Sequence, residues 1–521
     1  MTNTPSHKAP FPWYILPLSA ILLLYVWNAF FFEIHDFSNY YFSAKMVLNG
    51  AFNSDIYFPE YFNKWAATNF GDFYFMSYAP NTPFLAFFYV PFALFPIALS
   101  KLLFNFLSIG LCIHTVVRLK NHFSIPNIWV FVFPFIFFIA IKNNLLFGQP
   151  YFLVIFLLSE GLLAYSKEQI WKSSIFWGLA IAIKLFPLII IGFLISKRAY
   201  KSALYLGIST LLIVSISVVF IGLETWFFWM EQVIPRFNMG EIAGPFVDNY
   251  QSLFMFCKRL FVYDCIKNPS GLGNYMNTIF ILLLGFKFFI LGTTFYISRK
   301  ELNLLFSFGI WFLAGITISP YGSSYSLITL TFLFLSLYQP NFQNRFKIGA
   351  SLGLTVILFG SLSSSFSFPF NYLRLAGLLF TVLFICKLYW SVRNFQKVTI
   401  FALIVMGLST LLSKNKTTNS HLIKPTPILT FDYTIHNNQL ICKYWNKNGL
   451  QKTTIPLSIE SQTVTGVYIK NHQVFYKDRQ LTFTPSNKKN ARLINGHQII
   501  YLSDEVNGIG FYQLRITDIE Q

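Results

Sequence analysis

The sequence predicts an all-α polytopic membrane protein with a small C-terminal β domain, and three observations carry that prediction. Of 521 residues, 55% are hydrophobic and only 11% are charged, less than half of the roughly 25% found in a soluble domain. Apolar runs long enough to span a bilayer (about 20 residues each) recur from Phe11 to about Leu412. From about Lys414 the pattern changes to short alternating stretches separated by Asn, Gly and Lys. A mean hydropathy of +0.53 agrees. A cytosolic enzyme, a disordered chain and a nucleic-acid binder are all disfavoured. The formal charge of +19 is what basic cytoplasmic loops produce, so no nucleic-acid partner is expected.

The apolar runs fall at about 13–33, 80–117 (a pair), 125–142, 150–165, 173–196 (a hairpin), 201–222, 275–297, 302–318, 326–339, 348–365, 372–391 and 398–413. They amount to roughly 11–13 transmembrane helices plus re-entrant segments. Residues 1–413 are therefore read as the membrane domain, with long loops at about 33–79 and 223–274. Residues 414–521 are read as the soluble β-rich domain, where Thr463–Ile469 and Gln498–Leu502 alternate as strands do. The first apolar run is too long for a cleavable signal peptide and lacks a small-residue cleavage site. Five cysteines (112, 257, 265, 386 and 442) show no metal-ligand spacing. Cys257 and Cys265 allow one disulfide, although two inert apolar cysteines are the plainer reading.

Charge sorts the loops. Between Phe31 and Ala79, Glu33, Asp36, Asp55, Glu60 and Asp72 stand against Lys45 and Lys64, a net of −3. Between Leu223 and Tyr250, Glu224, Glu231, Glu241 and Asp248 stand against Arg236, again −3. The short loops around Arg118/Lys120, Lys167/Lys172, Lys197/Arg198/Lys201, Arg299/Lys300, Arg345/Lys347 and Lys387/Arg393/Lys397 are basic. The positive-inside rule makes those loops cytoplasmic and the acidic loops external. Parity then requires an odd number of crossings over 80–117, where two helices are expected. Pro83, Pro91 and Pro96 suggest that the first is broken or re-entrant. With that adjustment the β tail lies outside.

Chemistry is sought where polar groups interrupt the apolar pattern. Asp36 sits in Glu33–Ile34–His35–Asp36, just after the first span, where a scaffold can fix a carboxylate and tune its water access. A solvated loop aspartate is the competing reading. Lys184 interrupts Ile183–Lys184–Leu185–Phe186–Pro187 at a hairpin turn. An intramembrane lysine is costly without an anion, and a lipid-linked phosphate suits it; snorkelling to the interface is the alternative. Gln149 follows Asn143, Asn144 and Gly148 at another outward turn, Asn249 and Gln251 close the second acidic loop, and Ser319 opens a third turn. All fall on one expected face of the membrane. His114 and Glu160 are read as satisfied packing or interface residues. No metal-ligand spacing, phosphate-binding glycine loop or Ser–His–Asp order occurs, so direct use of ATP is not expected.

The ordered set Asp36–Phe37–x–x–Tyr40–Tyr41, Leu48–Asn49–Gly50, Ile56–Tyr57, Tyr78–x–Pro80–x–x–Pro83, Phe147–Gly148–Gln149, Ile183–Lys184–Leu185–Phe186–Pro187 and Ile318–Ser319–Pro320 resembles glycosyltransferase family 87. That family comprises polyprenol-phosphate-dependent mannosyl- and arabinofuranosyl-type enzymes of the GT-C superfamily. The resemblance covers roughly residues 15–340. It implies a GT-C membrane fold and a sugar donor carried on a polyprenyl phosphate. Asp36 is then the general base on an acceptor hydroxyl that attacks the anomeric carbon with inversion. Lys184 neutralises the phosphate leaving group, and Tyr40, Tyr41 and Gln149 line the sugar or acceptor site. Neither nucleotide sugar nor metal is required, although some GT-C enzymes use a divalent cation. Membrane lipids are partners, and the acceptor is a glycan, a lipid or a protein. The implied location is the cytoplasmic membrane, with the site and the β domain on its outer side. Pro150–Tyr151 after the Gly–Gln pair and Ser323–Ser324–Tyr325 after the Ser–Pro pair depart from the family pattern and leave the sugar open. Two other classes fit the same features: a transporter or flippase of lipid-linked saccharides, and a non-catalytic subunit of an envelope polysaccharide complex.

Overall fold

A computed structural model describes residues 13–519 apart from 72–74, 242–245, 248, 263–267, 269, 274, 340–341, 390–391, 413–419, 424–429, 437–438, 447–448, 456–465, 485 and 506. Cys265, and with it the possible Cys257 pairing, lies outside the described residues, as does the start of the expected strand at Thr463.

The chain enters through α1 (Leu16–Phe31) and turns at Asp36 into α2 (Phe37–Leu48) and α3 (Pro59–Phe70). Next come α4 (Pro83–Ala93), α5 (Ile97–His122), α6 (Asn127–Ile136), α7 (Phe138–Phe147), α8 (Tyr151–Tyr165), α9 (Ile170–Ile183), α10 (Ile190–Ser196) and α11 (Tyr200–Ile221). The second long loop holds α12 (Leu223–Phe228), α13 (Ile234–Asn238) and α14 (Leu253–Phe261). The remaining helices are α15 (Met276–Lys300), α16 (Leu304–Ile318), α17 (Thr331–Leu337), α18 (Asn344–Phe359), α19 (Leu373–Tyr389) and α20 (Val392–Leu412).

Among the described residues six helices are long and apolar enough to cross a membrane, α6 and α7 form a pair bent by 60°, and several apolar helices of 10–17 residues accompany them. The chain is a multi-pass membrane protein. Its expected span positions carry helices, but many are shorter than the roughly 20 residues of a full crossing. Large apolar side chains face outward along α11, where Val219 is 80% exposed and Leu211 68%. In water such a stripe is unfavourable at about 25 cal/mol per Å²; against lipid it is not.

The parity problem over 80–117 resolves in α4. Its 11 residues rise only about 16 Å. At its start Thr82 donates to the Ala182 carbonyl (2.5 Å) at the end of α9. Just past its end the Phe95 carbonyl accepts from Tyr41 (2.8 Å), one turn into α2. Lys101, in the first turn or so of α5, donates to the Glu33 carbonyl (2.8 Å). Both ends of α4 therefore lie at the Asp36 end of the bundle, and only α5 crosses.

The basic loops meet at the opposite end. Glu160 accepts from Arg118 Nε (3.1 Å) and Nη2 (3.0 Å), with His114 Nε2 at 3.3 Å. This is the packing role expected for His114 and Glu160. Lys197 donates to the Ser298 carbonyl (2.6 Å), the Glu301 carbonyl (2.5 Å) and Ser307 Oγ (2.8 Å), closing the C-terminal end of α15. Cations at a helix C-terminus also oppose its dipole.

Beyond α20 the chain forms three antiparallel sheets. β1 (Ser420–Leu422) lies in the order β1-β10-β9-β8 with β8 (Lys488–Ile494), β9 (Gln498–Ser503) and β10 (Gln513–Asp518); β2 (Thr430–His436), β3 (Gln439–Asn446) and β4 (Gly449–Ile455) form the second sheet. β5 (Val467–Lys470), β6 (Gln473–Tyr476) and β7 (Arg479–Gln480) form the third. Tyr433, Leu440, Cys442, Ile455, Ile500 and Leu514 pack as the core between the first two sheets, and Val474 of β6 packs with Leu493, Ile499 and Tyr501 under the third. This region docks on the Asp36 end. Lys489 pairs with Glu60 (2.8 Å) and Arg236 with Asp504 (2.7 Å). Gly510, at φ +75°, lies where a Cβ would approach Pro59 Cδ to 2.8 Å, so only glycine permits the close approach.

Candidate active site

Asp36 stands at the hinge between α1 and α2, at the N-cap position of α2. Its carboxylate is 31% exposed and is held on both oxygens: Oδ2 accepts from Gln149 Nε2 (2.6 Å), and His35 Nδ1 lies 3.1 Å from Oδ1. Gln149 is 2% exposed and is oriented in turn by Tyr40, whose hydroxyl donates to Gln149 Oε1 (2.8 Å). One turn into α2, Tyr40 stacks on Tyr89 of α4 at 5.1 Å.

The glycine before Gln149 is explained by this geometry. Gly148 ends α7 at φ +64°, and a Cβ there would meet Phe37 at 2.8 Å. The left-handed turn and the close approach together bring Gln149 beneath Asp36.

Lys184 lies where α9 stops and the backbone turns extended. Its Nζ donates to Asn81 Oδ1 (2.7 Å) and sits 5.4 Å from the Tyr40 ring centre and 5.8 Å from that of Tyr151. Asn81 is fixed by donating to the Tyr78 carbonyl (2.8 Å). Among the described residues Asn81 is the protein acceptor for Lys184, which leaves two ammonium donors for an incoming anion. The Asp36 carboxylate acts electrostatically on both Lys184 and Lys101.

The opposite wall comes from the second loop and the turn after α16. Tyr250 feels Asp36: burial first, and the nearby carboxylate second, push its phenol up to about 12. Tyr250 meets Tyr321 edge-on at 5.2 Å, and Tyr321 packs on Phe237 at 5.0 Å. Tyr151 packs on Tyr325 at 5.3 Å. Asn143 donates to Ser324 Oγ (2.5 Å) and Asn144 to the Tyr325 carbonyl (2.9 Å), tying α7 to this wall.

Of the residues singled out in the sequence, Asp36, Tyr40, Gln149 and Lys184 come together. The others sit apart. Tyr41 hydrogen-bonds the Phe95 carbonyl. Gln251 is fully buried, donating to the Gly360 carbonyl (2.9 Å) and accepting from Arg374 N (2.9 Å), which is a structural brace. Ser319 donates to the Tyr321 carbonyl (2.9 Å) and lines an apolar cavity of about 350 Å³ with Leu253, Phe254, Phe280 and Lys287. Asn249 is exposed in the turn before Tyr250. Sequence reasoning missed Asn81, Tyr151, His35 and Lys101. Asn81 lies inside the quoted Tyr78–x–Pro80–x–x–Pro83 stretch, and a polar side chain beside two prolines was its only signal. No three His, Cys, Asp or Glu gather into a metal-binding group among the described residues.

The cluster offers a fixed carboxylate, a nearby ammonium with free donors and an aromatic surround, which is the equipment of transfer between an oxygen acceptor and an anionic leaving group. No curated protein and no solved structure matches the chain. Residues 79–320, which contain Asn81, Gln149 and Lys184, match the model of glycosyltransferase family 87. Over those residues, from the turn before α4 to the end of α16, the chain is similar to the glycosyltransferases of family 87.

Proposed function

We propose that this membrane protein is a glycosyltransferase of the GT-C type that takes its sugar from a polyprenyl-phosphate donor. The observation that carries the reading is the meeting of Asp36, clamped by Gln149, with Lys184 around the single ring of Tyr40. Asp36 accepts the proton of an acceptor hydroxyl as its oxygen attacks the anomeric carbon. The bond from that carbon to the phosphate oxygen breaks with its electron pair going to the phosphate, and configuration inverts. Lys184 meets the charge that grows on the leaving phosphate. Tyr40, Gln149 and Tyr151 line the sugar, and the acceptor, whether glycan, lipid or protein, enters from the open side of Asp36. The acidic character of both long loops supports a site on the outer face of the cytoplasmic membrane, with the β region on the same side.

The test uses the full chain in nanodiscs with radiolabelled mannosyl- and arabinofuranosyl-phosphoprenol and a membrane-lipid extract as acceptor. Label transfer that disappears in Asp36→Asn is expected. Transfer undiminished in that variant would remove Asp36 as the base.

A further inference from the structure

His35 is the residue beside the base to which no role has been given. Its backbone is left-handed at φ 51°, a conformation uncommon outside glycine, with histidine among the residues that reach it most often. That turn lays its ring flat on Phe147, with centres 4.1 Å apart and planes 16° apart. Phe147 is the residue before the Gly148–Gln149 pair, so the ring is packed against the same corner that delivers Gln149. From this seat Nδ1 reaches Asp36 Oδ1 at 3.1 Å, while the other oxygen receives Gln149. The carboxylate is thus pinned from two sides by groups on two elements and stays 31% exposed. The ring keeps 39% of its surface exposed.

We infer that His35 is a positioning residue for the transfer, resting on the reading of Asp36 as the base. As the neutral Nδ1–H tautomer it donates to Oδ1 and holds the carboxylate in one rotamer. The groups around this pair are Lys101 from α5 (Nζ 5.7 Å from the Phe32 ring, which borders His35), Tyr250 from the second long loop and the neutral rings of Phe32 and Phe147. Lys184 also acts on Asp36 from α9.

The experiment compares wild type, His35→Ala, His35→Asn and Asp36→Asn in nanodiscs with the same phosphoprenol donors, reading kcat and donor KM. His35→Ala is expected to lower kcat about tenfold with donor KM within about twofold. His35→Asn, which keeps an N–H donor, recovers part of kcat. Full kcat in His35→Ala beside an inactive Asp36→Asn would overturn this role and leave the base intact. Equal losses in the Ala and Asn variants, in step with a lower melting temperature, would reduce His35 to packing and overturn it as well. Active Asp36→Asn would overturn the underlying base reading instead.

Discussion

Two acidic groups at the same end of the molecule are treated in opposite ways. Asp504 in the turn after β9 is fully buried and saturated: it takes Arg236 Nη1 (2.7 Å), Asn487 N (2.7 Å), Asn487 Nδ2 (2.8 Å) and Gly510 N (2.9 Å). Its partner Arg236 also contacts Glu241 at 3.2 Å. Burial pulls Arg236 down, yet Asp504 and Glu241 hold it above its ordinary value. Asp36, in contrast, is part-exposed and receives one donor on each oxygen, with its nearest lysines engaged elsewhere. A carboxylate locked in a full ion pair fixes a dock; one with spare lone pairs beside water can take a proton. The two are linked through the chain, because Arg236 precedes Phe237, which packs on the Tyr321–Tyr250 wall facing Asp36.

The contrast can be broken at each end, and the largest effect is expected at Asp36. Asp36→Asn keeps the shape and removes the base, so turnover should fall about 10²- to 10⁴-fold with donor affinity and melting temperature unchanged. Single-turnover transfer in nanodiscs reads the first, and a thermal melt reads the second. Unaltered turnover would erase the distinction between the two carboxylates.

Lys184→Ala should lower kcat/KM about 10²-fold, and Lys184→Arg should recover a part of it, since the developing phosphate charge loses or regains a cation. The assay is steady-state transfer against donor concentration. Equal loss in Ala and Arg, with unchanged donor binding, would speak for a packing role.

At the dock the order reverses. Arg236→Ala leaves Asp504 buried without its charge partner and should destabilise the docked β region by about 3–5 kcal/mol. Asp504→Asn added to it should relieve much of that cost. Hydrogen exchange over 488–518 measures both. Activity in Arg236→Ala should fall only through the Phe237–Tyr321–Tyr250 wall, so a loss as deep as that of Asp36→Asn would refute the division of roles.

The smallest effect is a pH dependence in the β region. Burial lowers Lys488 to about 8, against 10.5 for an ordinary lysine, and outweighs the opposing pull of Glu505 and Asp504. Between about pH 8 and 10.5 the unfolded chain keeps this proton and the folded chain has lost it, so stability rises with pH across that window. Below about pH 8 the lysine is charged in both states and its contribution is flat. The Lys488→Met variant should lose the slope in a series of melts; a slope that survives belongs to another group.

Much of the membrane region was legible in advance because hydrophobic length is a local property. The runs at 201–222 and 275–297 became α11 and α15 nearly residue for residue. Asp36 and Lys184 were also visible, since each breaks an apolar pattern at a cost that demands a reason. Tyr41 and Gln251 show the limit. Polarity marked them, but neighbours far along the chain, Phe95 and Gly360, take up their hydrogen bonds. Nothing in their own segments revealed this.

By itself, then, the sequence determined the class of molecule, the places where helices form, the change to strands after Lys414 and the two charges that stand out against an apolar background. Tertiary structure alone decided which of the polar turns meet. It brought Gln149 to Asp36 across 113 residues and Arg236 to Asp504 across 268, and it returned α4 to the end from which it left. The physical reason is that burial preference is written residue by residue, whereas a hydrogen-bonded site depends on distances that only the packed helices set.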